Sequence, residues 1–172
     1  MLDANRIKAT VTPLSDKDMK QNKVLTVRWV PKLQYAWDNG IAIGRYLAEL
    51  KNGRIIARKC HGCRRVMIPP RMFCELCWRP TDEWVYVQDT GTINTFVVSH
   101  VDWKASRVPK GERYFTPAVI EIDGASPGMG ILHHINEIEP YDIKMGMRVK
   151  AVWKPAKQRE GAITDIRYFK PL

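Results

Sequence analysis

The sequence lacks the features that mark membrane proteins, secreted proteins and the common catalytic classes. No apolar run approaches the ~20 residues that span a bilayer, and no apolar stretch follows the polar residues 1–6. The chain also has no Gly-x-Ser-x-Gly elbow, no Walker phosphate loop and no Gly-x-Gly-x-x-Gly dinucleotide loop. We therefore expect a cytoplasmic protein that does not bind membranes and carries none of these catalytic motifs.

Cysteine is scarce, and its placement is specific. The chain has four cysteines, in two Cys-x-x-Cys pairs separated by ten residues: Cys60, Cys63, Cys74 and Cys77. This spacing predicts a tetrathiolate metal site of the zinc-ribbon or rubredoxin type, with Gly62 giving the first turn its backbone freedom. Two disulfides would suit a secreted protein, and a redox dithiol would need a βαβ unit; neither is indicated. Four thiolates leave no open position, so we expect one structural zinc per chain, although iron fits the same ligands.

Acidic residues are nearly absent from the cysteine-rich part of the chain. The net charge is +10, and residues 51–79 contain eight Lys or Arg against a single acid, Glu75. Such a surface suits a polyanion, either nucleic acid or a phosphorylated ligand such as coenzyme A. It equally suits the formal charge of about −2 on a zinc tetrathiolate. The sequence leaves both interpretations open.

The apolar patterns predict four segments. They are a polar arm over residues 1–30, a helical segment over 31–53, a zinc ribbon over 54–82 and an OB fold over 83–172. Within the arm, residues 24–30 are typical of a strand that pairs with this chain's own sheet or with another subunit. Beyond residue 83, alternating patterns predict five strands, the first long and bent, with a turn of helix before the fourth. The predicted fold is mostly β: a helical segment, a rubredoxin-like ribbon and a five-stranded OB-fold barrel.

The predicted helical segment, residues 32–51, carries a wide apolar surface. Asn39-Gly40 is expected to kink or bound the helix. The apolar positions are Leu33, Trp37 and Ile41, then Ile43, Leu47 and Leu50, with Tyr35 and Tyr46 beside them. A stripe of this width packs on the chain's own core or contacts another chain. Both interpretations remain.

Seven motifs that follow one another through both predicted domains carry a family resemblance. They occupy residues 58–63, 68–71, 74–77, 91–98, 114–119, 143–149 and 167–171. In this order, across residues 35–172, they resemble the acyl-CoA-associated zinc-ribbon/OB-fold protein family. Residues 1–30 extend beyond the family core.

The resemblance implies a small accessory subunit that forms a hetero-oligomer with a thiolase-fold enzyme. There it would support assembly and hold or guide a CoA thioester beside the partner's active site. Among such subunits the chain is most similar to those of thiolases in anaerobic aromatic degradation, such as benzoylsuccinyl-CoA thiolase. The residues agree with a non-catalytic role. Claisen-type thioester chemistry needs a nucleophilic cysteine and a base, and the metal site takes all four cysteines.

The connection over residues 101–116 is the candidate contact with CoA. Long loops are often functional, and OB folds bind ligands through such loops. Its cations would hold phosphates, and its tryptophan would stack on adenine or line a pantetheine channel. The alternative is a disordered, solvated loop. The candidate residues are Trp103, Lys104, Arg107, Lys110 and Arg113.

Nucleic-acid binding is the alternative function. Zinc ribbons and OB folds both bind nucleic acid, and the chain is basic. The expected binding face of the barrel argues against nucleic-acid binding, because Thr95, Ser99 and Glu121 on that face are poor platforms for base stacking.

Overall fold

The computed structural model describes residues 15–21, 32, 34, 36–102 and 104–172, and two compact units divide the chain between Trp37 and Asp38. In the first unit, α1 (Asp16–Lys20) follows Ser15. The backbone N–H of Ser15 donates to Asp18 Oδ2 (3.2 Å), and that of Asp18 donates to Ser15 Oγ (3.3 Å), as in a capping box. The predicted strand over 24–30 lies outside the described residues. Within the described ranges, no helix is long and apolar enough to cross a membrane.

The helical segment is shorter than predicted. Helix α2 spans Gly40–Lys51, and the described residues 36–39 before it are not helical. Gly40 has a φ of +64°, a value that a right-handed helix does not contain, so the chain turns at the predicted boundary. Asp38 Oδ1 accepts a hydrogen bond from the Gly40 N–H at 2.9 Å and stabilises that turn.

The apolar face of α2 also differs from the predicted stripes. Its buried residues are Ala42, Tyr46 and Leu50, spaced four apart, whereas Ile41 is 71% exposed. Before the helix, Trp37 is 84% exposed. Tyr46, one of the expected surface aromatics, is therefore part of the core, and burial raises the pKa of its hydroxyl.

The ribbon region contains short strands held by longer ones. Strands β1 (Ile55–Lys59), β2 (Val66–Met67), β3 (Phe73–Cys74), β4 (Arg79–Pro80) and β5 (Glu83–Val87) form a three-stranded antiparallel sheet, ordered β2-β1-β5, and a β3-β4 hairpin. The pairing of β1 with β5 runs over five residues. It ties the ribbon to the chain that continues into the next sheet.

The second sheet has five antiparallel strands in the order β10-β9-β6-β7-β8. They are β6 (Thr90–Phe96), β7 (Pro117–Ile122), β8 (Gly130–His134), β9 (Arg148–Trp153) and β10 (Ile166–Pro171). The predicted helical turn is a 3-10 helix at Pro140–Asp142. The last strand was expected over residues 162–169, but β10 begins at Ile166 because Ile163–Asp165 form a 3-10 turn before it.

The two ends of this sheet approach each other at one point. Ile135 and Phe169 form a single parallel bridge, and the Asn136 N–H donates to the Phe169 carbonyl at 2.8 Å. The expected barrel is thus joined by one bridge between β8 and β10 and not by a full ladder. The chain bends at Asp89, between β5 and β6, in the stretch 89–91 where the long first strand was expected to bend. Strand β6 is irregular again between Ile93 and Thr95, at a bulge.

One cluster of buried residues runs from the ribbon into the five-stranded sheet. It includes Leu50 of α2, Ile56 of β1, Ile93 of β6 and Phe169 of β10. Ser126 links the two sheets as well, because its Oγ accepts from the Val66 N–H at 2.9 Å. Loss of the ribbon would therefore expose part of the core beneath β1 and α2.

Candidate metal centre and ligand-binding grooves

The four cysteines converge as their spacing predicts. Their sulfur atoms lie within 4.8 Å of one another, and those of Cys63 and Cys74 are 3.5 Å apart. Tetrahedral Zn–S bonds of about 2.3 Å would place the sulfurs about 3.8 Å apart, so the cluster has the size that zinc needs. In the described part of the chain this is the one group of His, Cys, Asp or Glu side chains with such geometry.

The two knuckles share a backbone feature. The residue after each second cysteine, Arg64 in one knuckle and Trp78 in the other, has a positive φ, of 63° and 52°. Gly62, expected to supply the turn's freedom, is not among the residues with positive φ. Its reason is space, because a Cβ there would lie 3.3 Å from the Cys77 sulfur.

The ionisation of these thiols favours a bound cation. Burial opposes ionisation of Cys74, but hydrogen bonds from the backbone of Cys77 and Leu76 outweigh it and lower the thiol pKa to about 7. For Cys77, the hydrogen bond with Cys63 and burial raise the pKa to about 12. The cluster thus releases a first proton readily and holds a later one. A dication between the sulfurs would favour the thiolate form of all four cysteines, so the residues fit a tetrathiolate metal.

The basic ribbon surface is more neutral than its sequence predicted. Arg65 and Arg71 both pair with Glu75, at 2.6 and 3.4 Å. Acids just outside residues 51–79 form ion pairs with other cations of the ribbon: Glu49 pairs with Arg54, Asp82 with Arg79, and Glu83 with Lys59. Since most of these charges are paired within the chain, they make a weak case for a polyanion site.

Arg58 serves the fold and is not part of an exposed basic face. It is 7% exposed, and its Nε donates to Thr81 Oγ1 at 2.8 Å. Its guanidinium carbon lies 4.6 Å from the centroid of the Trp84 ring, as does that of Arg45 from α2. This cation–π cluster joins the ribbon to the helix.

The histidines beside the metal and on β8 have structural partners. His61 is exposed, and its Nε2 lies 3.0 Å from Glu83 Oε2. His133 packs on Phe169, with ring centroids 5.7 Å apart, and burial lowers its pKa. His134 is exposed, in agreement with the expected alternation along the strand.

The connection expected to contact CoA is an ordered hairpin in its described part. Ser99 bridges Phe115, and Val101 bridges Arg107. At its tip, Asp102 Oδ1 accepts from the backbone N–H groups of Lys104 and Ser106, both at 2.8 Å. The described part of the connection is therefore a hairpin with a hydrogen-bonded turn at its tip.

The five candidate CoA residues are not gathered at one cavity. Lys104, Arg107 and Lys110 are exposed, and none of them lines the grooves that Arg113 lines. Trp103 lies outside the described residues. Arg113 does line a groove of 310 Å³, together with Phe115, His134, Arg167 and Tyr168 among others.

A second groove adjoins the first. It measures 320 Å³, and Leu132, Ile163 and Ile166 give it apolar walls. His134 and Arg167 line both grooves, so the cationic, aromatic groove and the apolar groove are neighbours that share two side chains. The sequence analysis missed the second groove and Arg167. The one signal for Arg167 is the alternating pattern of β10, which places its side chain on an outer face.

A ring cluster at the base of the loop was also missed. His100 stacks on Tyr114 with centroids 3.9 Å apart, and its Nε2 lies 2.8 Å from the Tyr141 hydroxyl. Tyr114 and Tyr141 meet edge to face at 6.3 Å. The three rings bring the loop against the 3-10 helix at Pro140–Asp142, which no local pattern could predict.

Two family profiles match consecutive parts of the chain. Residues 47–83 match the rubredoxin-like zinc ribbon domain of ChsH2, and residues 84–154 match the C-terminal OB-fold domain of ChsH2. The order of the two matches is the order predicted from the sequence.

Two archaeal proteins are similar in sequence, and both are named DUF35 domain-containing scaffold proteins. The protein of Methanocaldococcus jannaschii is 32% identical over 121 residues, covering 69% of this chain and 82% of the relative. That of Pyrococcus furiosus is 24% identical over 133 residues, covering 76% of this chain and 93% of the relative.

Two solved structures share the fold. One is a DUF35-family protein of unknown function from Sulfolobus solfataricus, with 23% identity, a TM-score of 0.55, and coverage of 66% of this chain and 78% of that one. The other belongs to the Ltp2-ChsH2(DUF35) aldolase, with 20% identity, a TM-score of 0.55, and coverage of 80% and 98%. At these identities the likeness concerns the fold alone.

Proposed function

Because this chain belongs to the ChsH2 (DUF35) family of zinc-ribbon and OB-fold proteins, we propose that it is a non-catalytic subunit of a thiolase-type complex. In this role it supports assembly of a hetero-oligomer and holds or guides a CoA thioester at the enzyme subunit's active site. The pathway that suits the resemblance is anaerobic degradation of aromatic compounds. Reduced thiols are needed at the metal site, so we place the protein in the cytoplasm.

The names of the relatives support an accessory role. The archaeal relatives are named scaffold proteins, and a chain of the same fold was solved as part of an aldolase with Ltp2. The chemistry of the chain points the same way. A thiolase nucleophile is a cysteine, and the metal cluster uses all four that the chain has.

The observation that carries the CoA part of the proposal is the pair of adjoining grooves. CoA joins a phosphorylated nucleotide to a long, weakly polar pantetheine arm. Arg113 and Arg167 would bind phosphate oxygens, since guanidinium groups suit phosphates, and the aromatic rings beside them would contact the base. The apolar groove would take the arm or the acyl group. The proposed contacts thus move from the loop tip to its base.

Reconstitution tests the proposal. A thiolase-fold enzyme from the same organism that co-purifies with this chain would be purified alone and with it, and thiolysis of aryl acyl-CoA esters would be measured. We expect a stable hetero-oligomer, with activity that depends on this chain. Two active preparations that never associate would contradict the proposal.

The groove has its own test within the assembled complex. Arg167→Ala should raise the KM for the CoA thioester by about tenfold, as expected for loss of one hydrogen bond to a charged group. Lys144→Ala removes an exposed cation that lines neither groove and should leave the KM unchanged. Equal KM values for the two variants would move the ligand elsewhere.

The arm offers a further check on assembly. Deleting residues 1–30 should weaken the complex without melting the OB fold, if the arm and helical segment contact the enzyme. The dissociation constant and the melting temperature of the truncated chain measure the two effects separately. An unchanged dissociation constant would remove the arm from the interface.

Nucleic-acid binding gains no support from the described residues. On the outer face of β6 and β7, Thr95 is exposed and Asn94 donates to Glu121 Oε1 at 2.6 Å. The Glu121 carboxylate repels phosphates, and the small polar side chains offer no surface on which a base could stack. Strong binding to a random oligonucleotide that weakens steeply with salt would reverse this conclusion.

A further inference from the structure

The second cysteine knuckle exposes an unusual amount of apolar surface. Four large side chains lie within seven residues of one hairpin, and we call them the knuckle patch: Met72, Phe73, Leu76 and Trp78. Their exposed fractions are 37%, 64%, 62% and 88%. Single exposed apolar residues are ordinary, but several large ones grouped together mark a site of interaction.

The conformation of Trp78 indicates that stability does not explain its presence. Its φ of 52° lies in the left-handed region, where a bulky side chain is uncommon and Gly or Asn fits better. Because the ring is 88% exposed, it buries little surface that would offset this cost. A tryptophan that contributes little to folding at a strained position indicates a contact with another molecule.

The hairpin that carries the knuckle patch is held in place on both sides. Cys74 and Cys77 lie in the sulfur cluster, and the Trp78 N–H donates to the Cys74 carbonyl at 2.9 Å. Thr81 N–H donates to the Met72 carbonyl at 2.9 Å, and buried Arg58 in turn holds Thr81. A surface fixed in this way loses little conformational entropy on binding.

The chemistry of the patch favours a protein partner. Tryptophan, phenylalanine, methionine and arginine are the residues enriched at the centres of protein interfaces. The flanking arginines, Arg71 and Arg79, are paired with acids, at 3.4 and 2.8 Å, so phosphates would have to displace carboxylates. Leu76 and Met72 offer no face on which a base could stack. The complementary surface is therefore an apolar depression on a protein.

We propose that the knuckle patch docks into an apolar depression on the enzyme subunit of the complex. This inference rests on the proposed function and adds the surface that makes the contact. Trp78 is its anchor, since an exposed, rigidly held tryptophan is typical of an interface hot spot. The metal, in this arrangement, shapes an interaction surface as well as the ribbon.

Substitutions in the patch test the proposal. Trp78→Asn suits the left-handed backbone, so this variant should fold and retain one zinc per chain. Binding to the purified enzyme subunit, measured by biolayer interferometry, should weaken by about 30-fold, as for a typical hot spot. Phe73→Thr, on β3, is a second variant whose residue suits a strand, and it should weaken binding about tenfold. Met145→Asn is the matched control, because Met145 is 70% exposed on the OB fold, and it should bind normally.

The outcomes separate this inference from the proposed function. If the unaltered chain fails to bind the enzyme subunit, the proposed function fails and the inference with it. If the unaltered chain binds and both patch variants bind equally well with zinc retained, the inference alone is wrong. Loss of oligonucleotide binding in the patch variants, with enzyme binding intact, would assign the patch to nucleic acid and likewise overturn it.

Discussion

Replacing Cys74 by serine should release the metal and unfold the ribbon while the five-stranded sheet persists. Cys74 is 1% exposed, and its sulfur lies within 4.8 Å of the other three. Structural zinc sites contribute about 10–16 kcal/mol at neutral pH, so four equal ligands would contribute about 3 kcal/mol each. Loss of one thiolate should then weaken zinc binding by at least about a hundredfold.

The unfolding should be local because the ribbon has little structure without its metal. Strands β2, β3 and β4 have two residues each, whereas β1 pairs with β5 over five and lies in the shared core. Complete loss of the metal removes a free energy comparable to the roughly 5–15 kcal/mol that stabilises a whole domain, and this loss falls on the ribbon that the metal holds together. The ribbon tip should therefore open, while β6 to β10 retain their pairing.

Hydrogen exchange followed by mass spectrometry can locate the change. In Cys74→Ser, peptides covering residues 60–81 should exchange rapidly, and those covering 117–122 and 148–153 should stay protected. After incubation with a chelator that the unaltered protein resists, zinc measured by elemental analysis should fall from one per chain to near zero. His61→Ala is the matched control, since His61 lies in the first knuckle but outside the sulfur cluster. Protection of 60–81 in zinc-free protein would refute the structural role of the metal.

Three further predictions concern single side chains and glycines. Asp165 is fully buried and accepts from the Gly161 N–H (2.7 Å) among others, so Asp165→Asn should cost about 2–4 kcal/mol in urea unfolding, whereas exposed Asp142→Asn should cost under about 0.5. Burial acts to raise the pKa of Asp165, but the backbone hydrogen bonds lower it overall. The stabilisation by the Asp165 carboxylate is therefore complete above about pH 4 and is lost on further acidification, so the free energies of unfolding of wild type and Asp165→Asn should converge at low pH. A constant difference down to about pH 2 would contradict this. A Cβ on Gly91 would lie 2.2 Å from the carbonyl oxygen of Glu121, so Gly91→Ala should lower the free energy of unfolding by about 2–3 kcal/mol, and an unchanged value would refute the close packing of β6 on β7. Gly44 lies within α2, and no atom lies within 4 Å of the position that a Cβ would take there. Gly44→Ala should therefore raise the free energy of unfolding by about 0.5–1 kcal/mol and with it the melting temperature, and a lower melting temperature would contradict the open space at this position.

Local patterns predicted the parts of this fold that depend on neighbouring residues. The Cys-x-x-Cys spacing predicted the sulfur cluster, and alternation predicted the five strands from β6 to β10 in their order. Asn39-Gly40 marked the start of α2 correctly, but the helical pattern before it did not form a helix at residues 36–39. A left-handed glycine at that boundary overrode the apolar spacing.

Features that depend on contacts between distant residues escaped sequence analysis. Glu83 neutralises Lys59 from 24 positions away, and Tyr141 meets His100 across 41. The two neighbouring grooves arise because β8 and the start of β10 approach each other, so that His134 and Arg167 line both. No window along the chain contains such pairs, so the groove was missed. The charge of the ribbon was overestimated because residues 51–79 exclude acids just beyond them, such as Asp82, which pairs with Arg79.

The measurement that tests the central claim most directly is native mass spectrometry of the tagged chain isolated from its own cells. The account predicts a zinc-loaded chain in a fixed stoichiometric complex with a thiolase-fold enzyme, and a mass increase when a CoA thioester is added. A chain recovered alone, or with nucleic acid, would contradict the account of an accessory subunit.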